Sequence, residues 1–70
     1  MTLKEAEVGK EYTIRQTNIT DEELSAFLFS LGCFSGEPIA IVRRLTGGCI
    51  VAIKDGRYCI DNQLAQSIIV

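Results

Sequence analysis

The sequence predicts a mainly β fold: a small barrel of about five strands with one α-helix inserted after the first strand, near residues 21–31. Three observations predict it. Short apolar runs punctuated by glycine fill the second half of the chain, and none exceeds strand length. One segment, Thr20 to Gly32, carries a helix start signal, a helical apolar period and a helix stop signal. Asp55-Gly56 between two apolar runs marks a tight hairpin.

The elements follow in order. Residues 3–9 form a lead-in, with Leu3 and Val8 expected to pack and Gly9 to turn the chain. Tyr12 to Gln16 alternates apolar Tyr12 and Ile14 with polar Thr13 and Arg15, the two-residue period of a half-buried strand. Thr20 is placed to cap the helix, with Glu23 completing a capping box and Ile19 and Leu24 a hydrophobic staple. Asp21 and Glu22 suit the positive end of the helix dipole. Leu24, Phe27, Leu28 and Leu31 share one helical face, expected to point at the core. Gly32 ends the helix in a left-handed conformation.

Glu37 to Leu45 is the next strand, with Pro38 near its start, where a missing N–H does least harm. Thr46-Gly47-Gly48 turns the chain into the strand Cys49 to Lys54. With Asp55-Gly56 as the two-residue loop, Ile53 faces Tyr58 and Val51 faces Ile60. Val51, Ile53, Tyr58 and Ile60 then share the core face, while Ala52, Lys54, Arg57 and Cys59 lie on the other. Asp61 to Ala65 has space for a short helical turn, and Ser67 to Val70 suits a closing strand. The result is a single domain over residues 1–70, SH3-like in scale.

Seventy residues bury only about 60% of the surface that the unfolded chain exposes, so every apolar face matters. Nearly half the residues are hydrophobic, a globular balance. The net charge is −2 and the seven Lys and Arg are scattered, which argues against nucleic acid as a partner. No run approaches the roughly 18–20 apolar residues of a membrane span, and the N-terminus has no secretory pattern. The expectation is a cytoplasmic protein without membrane insertion.

Chemistry is hard to find. Cys33, Cys49 and Cys59 are an odd set at gaps of 16 and 10 residues, unlike paired zinc ligands. The register also points Cys49 and Cys59 to opposite faces. Adjacent Glu22 and Glu23 splay on a helix and do not clamp a ferrous ion. With no His anywhere, no nucleophile has the usual base. Gly47-Gly48 precedes a strand and lacks the phosphate-loop pattern. No catalytic, cofactor or metal residue is assigned, and no cofactor is expected. Binding of a protein or peptide is the surviving class. Phe29 lies off the core stripe, and Cys33 and Phe34 follow the helix stop, so the three are candidates for an exposed contact patch. For Phe34 the competing expectation is that it packs down as the apolar contact of the helix C-cap.

The ordered set Leu28-x-x-Leu31-Gly32-x-x-x-Gly36, Ile39-x-Ile41-Val42-Arg43, Gly48, Val51-x-Ile53-x-x-Gly56, Ala65 and Ile68-Ile69-Val70 resembles the ferrous-iron transport protein A family. The lead-in Leu3 to Gly9 with Tyr12-x-Ile14 also fits, so the resemblance spans nearly the whole chain. It implies a small cytosolic protein with an SH3-like barrel and a helical insertion. It implies a partner, the bacterial ferrous-iron permease (ferrous-iron transport protein B), contacted through its cytosolic GTP-binding part, without catalysis. A related domain ends some metal-dependent repressors, which leaves as the alternative a detached regulatory domain that responds to metal or binds a peptide. Two residues depart from the family pattern: Cys33, where a larger apolar residue such as Met is frequent, and Asp61, where a basic residue is frequent.

Overall fold

Two antiparallel sheets share one core in the computed structural model, which describes residues 1–70. A 3₁₀ turn over Leu3–Glu5 is followed by β1 (Glu11–Thr13), β2 (Gln16–Thr17), α1 (Glu22–Ser30), β3 (Pro38–Leu45), β4 (Gly48–Ile53), β5 (Gly56–Asp61), α2 (Asn62–Ser67) and β6 (Ile68–Ile69). The larger sheet has the order β1-β3-β4-β5; the smaller pairs β2 with β6. The fold is mainly β and SH3-like, with six strands where five are expected.

The sixth strand comes from a corner. Tyr12 to Gln16 does not run as one strand: β1 pairs with β3 and β2 with β6. Ile14 and Arg15 carry the chain from one sheet to the other. Their amides stay bonded across the corner, Ile14 N–H to the Glu37 carbonyl at 2.9 Å and Arg15 N–H to that of Ile69 at 2.7 Å. Alternation along the segment survives, so Ile14 is buried as expected.

The core is Leu3, Ala6, Ile14, Leu28, Cys33, Ile39, Ile41, Cys49, Val51, Ile53, Ile60, Ala65 and Ile68. No polar or charged side chain is buried in it. Cross-strand pairs Ile39–Ile53, Ile41–Val51 and Cys49–Ile60 set its layers. Val8 is half exposed, against expectation. Its backbone is what the lead-in uses: Val8 bridges to Ile41, and Gly9 N–H donates to the Ile41 carbonyl at 2.9 Å. Leu3 and Ala6 take the space inside.

The β4–β5 turn differs from expectation by one residue. Ile53 faces Gly56, so the loop is Lys54-Asp55, and Val51, not Ile53, faces Tyr58. The register therefore slides by two, which preserves which side chains share a face. The ring of Tyr58 lies across Gly56, in the space a β-carbon there would take. That glycine serves strand packing, and the turn's positive φ of 52° falls on Lys54.

Candidate functional site

Helix α1 begins one residue later than the capping box predicts. Asp21 is the cap: its Oδ1 accepts from the amides of Glu23 at 2.9 Å and Leu24 at 3.2 Å. A carboxylate serves the positive helix end better than a threonine hydroxyl. At the other end, Gly32 (φ 91°) N–H donates to the Phe29 carbonyl at 3.0 Å, and Cys33 N–H to that of Leu28 at 2.9 Å. Those two bonds are a Schellman motif.

The motif explains the fate of Cys33. The residue after the left-handed glycine packs against the one three back from the helix end, and here that pair is Cys33 with Leu28. Both are buried. Cys33 therefore does not belong to an exposed patch; it takes the C-cap apolar role considered for Phe34. Burial pushes its thiol up to about 11. Cys49 is also raised, mainly by burial, with Arg44 opposing.

Phe29 and Phe34 do come together on the surface. Phe29 is 65% exposed. Phe34 is half-buried, its ring centroid 4.9 Å from that of Phe29. Lys54 Nζ stands 5.3 Å from the Phe34 centroid and 3.3 Å from Glu37 Oε2, its aliphatic stem lying over Gly32. Tyr58, Gly56 and Asp55 complete a shallow groove of about 450 Å³. Sequence reasoning missed Lys54 and Tyr58 here. It placed Tyr58 wholly inside, whereas the ring is half-buried and lines the groove. The hairpin register, slid by two, is the signal that brings Lys54 beside the helix exit.

The predicted core stripe of α1 reaches the core only at its C-terminal end, where Leu31 packs half-buried beside Leu28. Only Leu28 is buried; Leu24 is 39% and Phe27 48% exposed. The helix meets the barrel through its last turn, leaving Leu24, Phe27 and Phe29 on the surface beside Asp21, Glu22 and Glu23. A helical period identifies an apolar face without saying what covers it.

Apolar contact is the chemistry this arrangement supports. No three His, Cys, Asp or Glu side chains stand together as metal ligands. Cys49 is buried and Cys59 exposed, as their opposite faces require. No helix is long and apolar enough to cross a membrane.

The FeoA domain family model matches residues 1–70. Comparison with curated protein sequences finds no significant match. Among solved structures, an iron uptake regulatory protein (FeoA) superposes with a TM-score of 0.82 at 20% identity, over 97% of this chain and 91% of that one. Stenotrophomonas maltophilia FeoA complexed with zinc, a procaryotic SH3 domain protein, superposes with a TM-score of 0.84 at 20% identity, over 99% and 87%. A manganese-dependent transcriptional repressor matches with a TM-score of 0.83 at 20% identity, but the chain spans only 39% of it.

Proposed function

The chain belongs to the FeoA domain family, and from that premise we propose that it is a cytoplasmic accessory of bacterial ferrous-iron uptake. It binds the membrane ferrous-iron permease through the permease's cytosolic GTP-binding part and modulates it by contact, without catalysis. The observation that carries the docking surface is the Phe29–Phe34 pair, Phe29 exposed and Phe34 half-buried, beside Lys54 and Tyr58. Exposed aromatics flanked by polar groups are the usual anchors of protein interfaces.

The test is an NMR titration of the isotope-labelled protein with the permease's cytosolic domain, loaded with either nucleotide. Shifts confined to Phe29, Phe34, Lys54 and Tyr58 support the reading. Shifts elsewhere remove this surface, and none in either state removes the cytosolic domain as partner. The fold likeness to the repressor favours one second reading, a detached regulatory domain. That reading requires stoichiometric divalent-ion binding under reducing conditions, measured by calorimetry.

A further inference from the structure

Strand β5 is an edge of the larger sheet, and nothing pairs with its outer side. The two residues flanking a two-residue turn, Ile53 and Gly56, exchange both ladder bonds; pairs then alternate along the hairpin. Arg57, Cys59 and Asp61 fall in the other set, so their backbone groups face the open edge. All three side chains are exposed. The molecule's ion pair joins Lys54 and Glu37, leaving Arg57 and Asp61 without charged partners.

The order Arg57-Cys59-Asp61 is complementary to itself when reversed. An antiparallel copy centred on Cys59 sets Arg57 against the second copy's Asp61, Asp61 against its Arg57, and Cys59 against its own counterpart. One patch meeting itself about a two-fold axis is the commonest form of homodimer.

We propose that this chain forms a homodimer through its β5 edges, paired antiparallel about Cys59. The occupant is a second copy because the charge order fits itself, and the proposal stands independently of the permease reading. The contact is short, so the dimer is weak and transient. Directly paired strands hold facing Cα atoms about 5.5 Å apart, inside the roughly 4.4–6.8 Å that a disulfide spans. The dimer can therefore be trapped. With diamide as oxidant, two Cys59 thiols release two protons and two electrons, one S–S bond forms, and the reagent's N=N bond is reduced to the hydrazine.

The experiment is sedimentation equilibrium of the full chain in reducing buffer, with amide hydrogen exchange at low and high concentration. The expected result is a reversible dimer whose formation slows exchange at the Arg57, Cys59 and Asp61 amides. Arg57→Glu turns two attractions into repulsions and weakens dimerisation about tenfold or more. Lys4→Glu, the same charge change at an exposed site in the 3₁₀ turn, leaves it unaltered. Arg57 is chosen because Asp61 also caps α2 through Leu64 N–H at 2.8 Å. Diamide trapping is fast in the parent, slower in Arg57→Glu and absent in Cys59→Ser. A monomer at every concentration, a dimer indifferent to Arg57→Glu, or protection at other amides overturns the proposal.

Discussion

Replacing Gly32 with alanine tests the helix exit directly. Gly32 has φ 91°, a conformation that costs an L-residue roughly 1–2 kcal/mol. A β-carbon there would also lie 2.8 Å from Lys54 Cε and 2.9 Å from Cδ. A lysine stem moves aside at little direct cost, so the loss is what Lys54 does in place. Its ammonium over Phe34 contributes about 0.5–1 kcal/mol, and its half-exposed ion pair with Glu37 about 0.2–1 kcal/mol. Gly32→Ala is therefore expected to cost about 2–4 kcal/mol, read by urea unfolding with the slope unchanged.

The two contributions separate in a double-mutant cycle. In a Lys54→Ala background no stem is there to displace, and Gly32→Ala should cost only the backbone part, about 1–2 kcal/mol. The coupling between the positions is then about 0.7–2 kcal/mol. Equal costs in both backgrounds would show that Lys54 does not lie across the glycine. A cost under about 0.5 kcal/mol would refute the left-handed turn itself.

Other outcomes are checkable with simple assays. Leu28→Ala, in the fully buried position under the helix exit, should cost about 2–5 kcal/mol in urea unfolding. Phe29→Ser, at a 65% exposed site, should change stability by less than about 0.5 kcal/mol while weakening binding of the permease's cytosolic domain in a titration. A thiol reagent under native conditions should label Cys59 quickly and leave Cys33 and Cys49 unmodified until denaturant is added, as mass spectrometry would show. The raised Cys33 thiol also sets an alkaline limit. The unfolded chain loses that proton near pH 9 and the folded one near pH 11, so stability should be full below pH 9 and fall across that window. Cys33→Ala should flatten the fall.

Most strands were legible because their rules are local. The apolar alternation of Ile39, Ile41, Val51 and Ile53, the glycine stop at Gly32 and the short turn at Asp61 depend on neighbours in sequence, and each reappears in the structure. What was not legible depends on which way a local turn aims a side chain once the barrel is assembled. Cys33 is buried because the Schellman bonds to Leu28 and Phe29 turn it inward. Val8 is exposed because Leu3 and Ala6 fill its place.

The remaining disagreements gather in one region. The hairpin turn moved off Asp55-Gly56, the left-handed φ fell on Lys54, Tyr58 reached the surface, and Leu24 and Phe27 of the α1 stripe stayed exposed. The first three surround the groove beside Phe29 and Phe34, and the stripe shares its helix. Natural sequences obey local rules where folding alone decides, and break them where a site needs a particular shape. Each departure here has a specific effect on that surface. Placing the turn at Lys54 swings its stem across Gly32 toward Phe34. Leaving Gly56 without a side chain lets Tyr58 lie flat as the facing wall. A lysine at positive φ is maintained against roughly 1–2 kcal/mol of backbone cost, whereas Lys54→Gly would relieve that cost and remove the ammonium. Lys54→Gly thus separates stability from docking. If the groove exists for a partner, the variant should unfold no more easily than the parent yet bind the permease domain more weakly. Binding equal to the parent's would assign the lysine to the hairpin alone.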